Sequence, residues 1–267
     1  MSLKEYEVIK TKKSNTKDSY ELFDEPVIKA PLSILRYNLN FEFLDDYPAK
    51  MPQDFARDMI KLYSKPNDTV WDGFGGSGIV PREAAKLGRH GIYSDINQAA
   101  YNLALEHAEK NTIYKEIQYY LEDIRKIKFD TQIDLIVSSP PFGLNIAGDK
   151  NNYSDHEDDL SNSGTYEKFF ENIKPCFESY FNNLKPNGVC ILDARDRSKD
   201  GHYFDLINYF RNICLDIGFE LISRYYYEMI PWMQFTAKDK DTKFVKPMPD
   251  AMDVLVLKKP AQEKLFS

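Results

Sequence analysis

Apolar positions along this chain switch repeatedly between the spacing of a helix and that of a buried strand. From residue 52, PQDFARDMIKLYS opens on Pro52 and places apolar residues at 55, 59, 60, 62 and 63. That spacing predicts a helix ending before Lys65-Pro66. DTVWD (68–72) then predicts a strand, GFGGSG (73–78) a tight turn and IVPREAAKLG (79–88) a helix. Strands are expected at 91–95, 117–123 and 134–139, with a helix over 97–111 between the first two. Residues 165–184 predict a long helix, 189–195 a strand entered through Lys185-Pro186-Asn187-Gly188, and 203–218 a further helix. Two strands close the pattern, 219–230 and 251–259.

Seven strands alternating with helices predict an α/β fold with a mostly parallel sheet and helices on both faces. The last two strands have no helix between them, so an antiparallel hairpin at one edge is expected. Residues 1–46 form a lead-in, polar over 1–20 and without clear period over 21–46. Residues 47–259 carry the body of the domain and 260–267 a C-terminal tail. Loops 143–164 and 231–250 exceed the usual connection length and are expected to be mobile. Of 267 residues, 42% are hydrophobic, enough to build a core. The net charge of −7 excludes a histone-like basic coat, so any nucleic-acid contact must use a local patch. Cys176, Cys190 and Cys214 form no CxxC pair, so neither a disulfide framework nor a zinc site is expected, which fits a reducing cytoplasm. No metal site and no membrane span are expected.

The candidate chemistry begins at Asp72-Gly73-Phe74-Gly75-Gly76-Ser77-Gly78, where the first strand of the alternation hands over to a helix. Glycines there let the backbone turn sharply and approach a ligand. The spacing does not meet GxGxxG, and no P-loop lysine follows, so a nucleoside ligand without a polyphosphate fits best. Asp95, at the end of the second strand, is placed to accept hydrogen bonds from ribose hydroxyls. Glu122-Asp123, ending the third, is placed for an adenine edge.

Together these residues resemble the S-adenosylmethionine-dependent amino-methyltransferases that act on DNA. WDGFGGSGIV is similar to the family's D-P-F-x-G-S-G-T motif, and Ser138-Ser139-Pro140-Pro141-Phe142-Gly143 to its S-P-P-[YF] signature. Tyr47-Pro48-Ala49-Lys50-Met51-Pro52 resembles the segment before the cofactor site. The resemblance covers roughly residues 47–259 and implies a Rossmann-like class I methyltransferase fold with S-adenosylmethionine as cofactor. It implies a cofactor site built from Tyr47, Pro48, Ala49, Met51, Asp72 to Gly78 inclusive (Gly73, Phe74, Gly75, Gly76, Ser77), Asp95, Ile96, Asp123 and Ile124. Gly73 stands where the family has Pro, and Ile79 where it has Thr.

An exocyclic amine is a poor nucleophile because its lone pair is delocalised into the ring. The Ser139 hydroxyl and Pro140 carbonyl are suitable acceptors for its N–H groups, and Pro140-Pro141 fixes their placement. Phe142 offers a stacking face, a contact worth ~1–3 kcal/mol per base. Ser139, Pro140, Pro141 and Phe142 are therefore the expected catalytic residues, with no covalent nucleophile. Cys176 follows a proline but lies on an apolar helical stripe (Phe169, Phe170, Ile173, Phe177, Phe181), so a cysteine-based C5 mechanism is not expected.

Ser at the first motif position resembles the N4-cytosine branch of the family, so a flipped-out cytosine in DNA is the expected substrate. Adenine N6 in DNA, an amine in RNA, and a catalytically silent nucleic-acid-binding subunit remain as alternatives. Substrate contacts are expected from Gly143, Arg195, Arg197, Trp232, Lys238 and Lys243, where basic and aromatic residues interleave. Loop 143–164 is acidic, the wrong sign for lying along DNA. The tail Gln262-Glu263-Lys264-Leu265-Phe266 resembles the QxxLF peptide that docks on the replication sliding clamp, a candidate second partner.

Overall fold

The computed structural model describes residues 34–38, 51–144, 154, 156–199, 202–230 and 251–261. The segment Tyr47-Pro48-Ala49, the residues Trp232, Lys238 and Lys243, and the tail motif at 262–266 lie outside them. The helices are α1 (Gln53–Tyr63), α2 (Ile79–Lys86), α3 (Gln98–Lys110), α4 (Tyr166–Asn183) and α5 (Leu206–Ile217). The seven expected strands are present as β2 (Thr69–Asp72), β3 (His90–Asp95), β4 (Ile117–Leu121), β5 (Ile133–Ser138), β6 (Leu184–Ala194), β9 (Glu220–Ile230) and β10 (Ala251–Lys258). Three further strands complete the set: β1 (Ile34–Asn38), β7 (Arg197–Lys199) and β8 (His202–Phe204), the last two forming a separate small hairpin.

The main sheet has the order β1-β9-β10-β6-β5-β2-β3-β4. Only β10 runs antiparallel to its neighbours, pairing with β6 on one side and β9 on the other. This is the Rossmann-like arrangement expected from the sequence, with an added strand. That strand, β1, corrects the reading of residues 21–46 as irregular: it pairs in parallel with β9 from Ile34↔Tyr226 to Asn38↔Ile230. The antiparallel pair therefore sits one strand in from the edge. The helix expected from residue 203 begins at Leu206, because Tyr203 and Phe204 belong to β8. Residues 185–188 form a bulge between the pairs Ile133↔Leu184 and Leu135↔Val189, with Asn187 at a positive φ of 65°.

Strand alternation sends side chains to two cores. Trp71, Ile136, Cys190, Leu192, Leu255 and Leu257 meet Phe169, Phe177 and Tyr180 of α4 and Leu206 and Phe210 of α5. Val70, Leu135, Val137, Ile191, Val254 and Val256 meet Phe55, Met59 and Ile60 of α1 and Ile79, Val80 and Ala84 of α2. A sheet covered on both faces reads as near-continuous apolar runs, as these strands do. Buried Glu83 ties the two helices of the second layer, accepting from Arg57 Nε (2.8 Å) and Gln53 Nε2 (2.8 Å). In this topology the chain reverses its direction of winding between β2 and β5. The crevice at their carboxyl ends is where such sheets bind ligands.

Candidate active site

Three strands carry aspartate at or next to their carboxyl ends in that crevice: β2 ends in Asp72, β3 in Asp95, and Asp193 is the last residue but one of β6. Asp72 is buried. Its Oδ1 accepts from Ser138 Oγ (2.7 Å) and from the Phe74 amide (3.1 Å). Burial pushes its pKa up to about 7, against the pull of those hydrogen bonds. Asp95 accepts the Gly76 amide on Oδ2 (2.8 Å) and the Asn97 amide on Oδ1 (2.8 Å). Burial raises it to about 6. An ionised carboxylate has about four lone-pair sites, so each Asp95 oxygen can still accept a hydroxyl.

The glycine turn packs tightly between these strand ends. The Gly75 amide donates to the Ser94 carbonyl (2.9 Å), and the Tyr93 phenol donates to the Gly76 carbonyl (3.0 Å). Gly78 is the N-cap of α2 at φ 75°, and a Cβ there would stand 2.9 Å from the Ala104 Cβ. Glycine adopts that backbone at no steric cost.

Two adjoining cavities open at the turn. The first has an empty volume of about 730 Å³ including its open mouth. It is lined by Met51, Asp72, Phe74 to Ser77, Ile79, Val80, Asp95, Asn97 and the run Ser139-Pro140-Pro141-Phe142. The second, of about 270 Å³, is bounded by Gly73, Phe74, Ile96, Asp123, Ile124, Arg125, Asp158, Leu160 and Cys176. Phe74 belongs to both walls. The structure thus brings the glycine turn, Asp95 and the double-proline run to one space. Gly143 and Arg195 line neither cavity, and Gly143, at φ 105°, packs against the Tyr166 ring instead. Arg197 opens β7, outside the main sheet.

Asp123 reaches the second cavity with its carboxylate engaged. Arg125 grips both oxygens, Nε to Oδ1 (2.9 Å) and Nη2 to Oδ2 (2.6 Å), and the Arg125 amide adds a third bond (2.9 Å). Burial pushes its pKa up, but these bonds and the arginine charge outweigh that and hold it below the usual range. Arg125 also pairs with Asp158 at 3.3 Å, so part of the acidic loop meets this cavity's wall. Cys176, fully buried on α4, has its thiol pushed up to about 12 by burial and is no nucleophile at neutral pH.

Two contributors escaped the sequence reading. Asp193 is 1% exposed; Tyr227 donates to its Oδ2 (2.8 Å), while Oδ1 has no hydrogen-bond partner among the described residues. Burial raises it to about 6, held back by Tyr227 and by the Ser139 hydroxyl beside it. Tyr180 of α4 reaches the site from below the turn. The strand-terminal position of Asp193, shared with Asp72 and Asp95, is the signal that could have found it. Tyr180 carries no such signal, because it lies on the apolar stripe of its helix.

Residues 3–106 match the family model described as DNA methylase. Over that stretch, less than half of the chain, it is similar to the DNA methylases. That similarity implies S-adenosylmethionine as the cofactor to test against the site. The chain is also 26% identical over 182 residues to the tRNA (guanine(10)-N2)-dimethyltransferase of Methanothermobacter thermautotrophicus, covering 67% of this chain and 45% of that protein. It therefore spans about half the length of that curated relative. Among solved structures it is similar to TrmN from Thermus thermophilus (19% identity, TM-score 0.54, 80% of this chain and 51% of the other). It is equally similar in fold to the 4+2 cyclase SpnF (14% identity, TM-score 0.54, 81% and 86%). These likenesses establish the fold; chemistry must be argued from the site. No helix among the described residues is long and apolar enough to cross a membrane.

The first cavity suits this cofactor on its own terms. Two aspartates and no basic side chain line it, which favours a cationic ligand over a phosphate. S-adenosylmethionine carries a sulfonium and an ammonium against a single carboxylate, a net positive charge. The second cavity offers Phe74, Ile96, Ile124 and Leu160 as apolar walls with a polar Asp123–Arg125 edge, which matches a heterocycle.

Proposed function

We propose that this chain transfers a methyl group from S-adenosylmethionine to an exocyclic amine of a nucleic-acid base, with the N4 amine of cytosine in DNA as acceptor. The observation that carries the reading is the shared first cavity, acidic on the glycine-turn side and bounded by Ser139-Pro140-Pro141-Phe142 on the other. Met51, the turn and Asp95 would hold the methionine and ribose portions, and Ile96, Asp123 and Ile124 would border the adenine. When bound, the cofactor supplies an electrophilic methyl carbon.

The chain's own residues prepare the acceptor. The Ser139 oxygen and Pro140 carbonyl accept the amine N–H bonds, which draws the nitrogen toward a tetrahedral, nucleophilic geometry. Phe142 supports the base plane. Asp193 lies beside Ser139 with its Oδ1 unpartnered among the described residues, so it can take a proton from the serine hydroxyl. When the nitrogen sheds its proton, Ser139 takes it and passes its own to the free Oδ1 of Asp193. Most of the acceleration comes from holding donor and acceptor together.

The DNA reading rests on the DNA methylase match and on Ser139 heading the motif. A second reading, an amine in RNA, is favoured by the likeness to a tRNA dimethyltransferase over 67% of the chain. The deciding experiment incubates the protein with labelled cofactor and either DNA or RNA, then identifies modified nucleosides by mass spectrometry. N4-methylcytosine in DNA supports the first reading and a methylated base in RNA the second. N6-methyladenine in DNA would move the acceptor, and no incorporation into either polymer would overturn both readings.

A further inference from the structure

The place where this chain departs from the resembled motif is bridged by a side chain 107 residues further along. Gly73 stands where proline is expected, and its amide donates to the Tyr180 hydroxyl at 3.1 Å. Proline has no such amide. The Tyr180 hydroxyl donates onward to Ser138 Oγ (2.7 Å), which donates to Asp72 Oδ1 (2.7 Å). Asp72 in turn accepts the Phe74 amide, so the chain of bonds begins and ends on the same glycine turn.

Space enforces the pairing. A Cβ on residue 73 would stand 2.5 Å from the Tyr180 hydroxyl oxygen and 2.4 Å from Ile124 Cδ1. Tyr180 is fully buried, and its ring meets Trp71 edge-on at 4.9 Å and Phe74 at 6.3 Å. Tyr180 thus occupies the room that a side chain at 73 would need, and supplies the acceptor that only a non-proline residue can use. Ser138 is the last residue of β5, directly before Ser139.

We propose that Tyr180 is a positioning residue that hydrogen-bonds the donor-binding turn to the strand end presenting the acceptor groups, and so sets the distance between them. Without its hydroxyl, the Gly73 amide loses its partner while Ser138 keeps Asp72. The turn and the double-proline run are then no longer joined through one atom. This inference rests on the proposed function, because it assigns the turn to the cofactor.

The test compares wild type, Tyr180→Phe, Ser138→Ala and the double variant, with Phe210→Leu as a control for loss of packing beside α4. Amide exchange at Gly73, S-adenosylhomocysteine affinity by calorimetry, and turnover at saturating substrate are measured below each variant's unfolding transition. Tyr180→Phe is expected to speed Gly73 exchange at least tenfold, weaken S-adenosylhomocysteine about fivefold and lower kcat about tenfold, with KM for the nucleic acid unchanged. The double variant should add little to either single one, since both cut one chain of bonds. Phe210→Leu should lower the unfolding temperature without any of these changes. Wild-type affinity and kcat in folded Tyr180→Phe would overturn the inference alone. A wild-type protein that binds no S-adenosylhomocysteine would overturn the proposed function and this inference with it.

Discussion

Replacing Gly75 by alanine tests the turn geometry most directly. The added Cβ would lie 2.4 Å from both Cδ2 and Cε2 of Tyr93, about 1 Å short of ordinary contact, and 3.1 Å from the Ser94 carbonyl oxygen. Tyr93 has nowhere to retreat. Its ring is fully buried against Tyr119 (5.5 Å) and Tyr101 (6.1 Å), and its hydroxyl is bound to the Gly76 carbonyl. The turn must therefore move by roughly 1 Å, into the first cavity that it lines. Overpacking of this kind costs about 1–3 kcal/mol of stability. In a chain of this size each kcal/mol lowers Tm by about 2–4 °C. A reacting group displaced by 1 Å can lose on the order of 100-fold in rate. Gly75→Ala is therefore expected to lower Tm by several degrees, weaken S-adenosylhomocysteine binding and cut turnover by at least tenfold, read by scanning calorimetry, titration calorimetry and a methyl-incorporation assay. A variant with wild-type Tm, affinity and turnover would refute the argument that Tyr93 fixes the floor of the site.

Three further outcomes are expected. Ser139→Ala should reduce turnover by ten- to a hundredfold while S-adenosylhomocysteine affinity stays within about twofold; a matching collapse of affinity would refute the division of roles between strand end and turn. Asp72 binds protons in the folded state up to about pH 7, whereas its ordinary pKa is 3.8. Its contribution to stability is thus present below pH 4 and lost as pH rises through 7; the fall in Tm of the cofactor-free protein between pH 5 and 7.5 should be shallower in Asp72→Asn than in wild type, and equal slopes would count against the assignment. The thiols of Cys176, Cys190 and Cys214 are buried with raised pKa values, so iodoacetamide at pH 8 should label none of them before unfolding, and fast labelling of Cys176 would reopen a thiolate role.

Local signals carried most of the architecture into the sequence. The α/β alternation was legible because strands covered on both faces must be apolar throughout, while α1 must alternate its faces. The turn was legible because left-handed backbone at Gly76 and Gly78 favours glycine. What stayed hidden was set by contacts far along the chain. Ile34–Asn38 becomes a strand only because the outer edge of β9 accepts it. Tyr180 reads as one more ring on an apolar stripe, and its hydroxyl acquires meaning only opposite Gly73 and Ser138. The sequence places Asp123 for an adenine edge without showing that Arg125, two residues on, is folded back onto it.

Phe74, as the partition shared by two chambers, gives the ligand question a modular form. Small fragments fitted to the acidic chamber and to the apolar one can be screened separately. A tether long enough to pass around the ring would then turn the second encounter into an intramolecular one, raising avidity without any new contact. A tether too short to clear the ring would forfeit the gain entirely, so affinity against tether length would serve as a ruler across that aromatic wall.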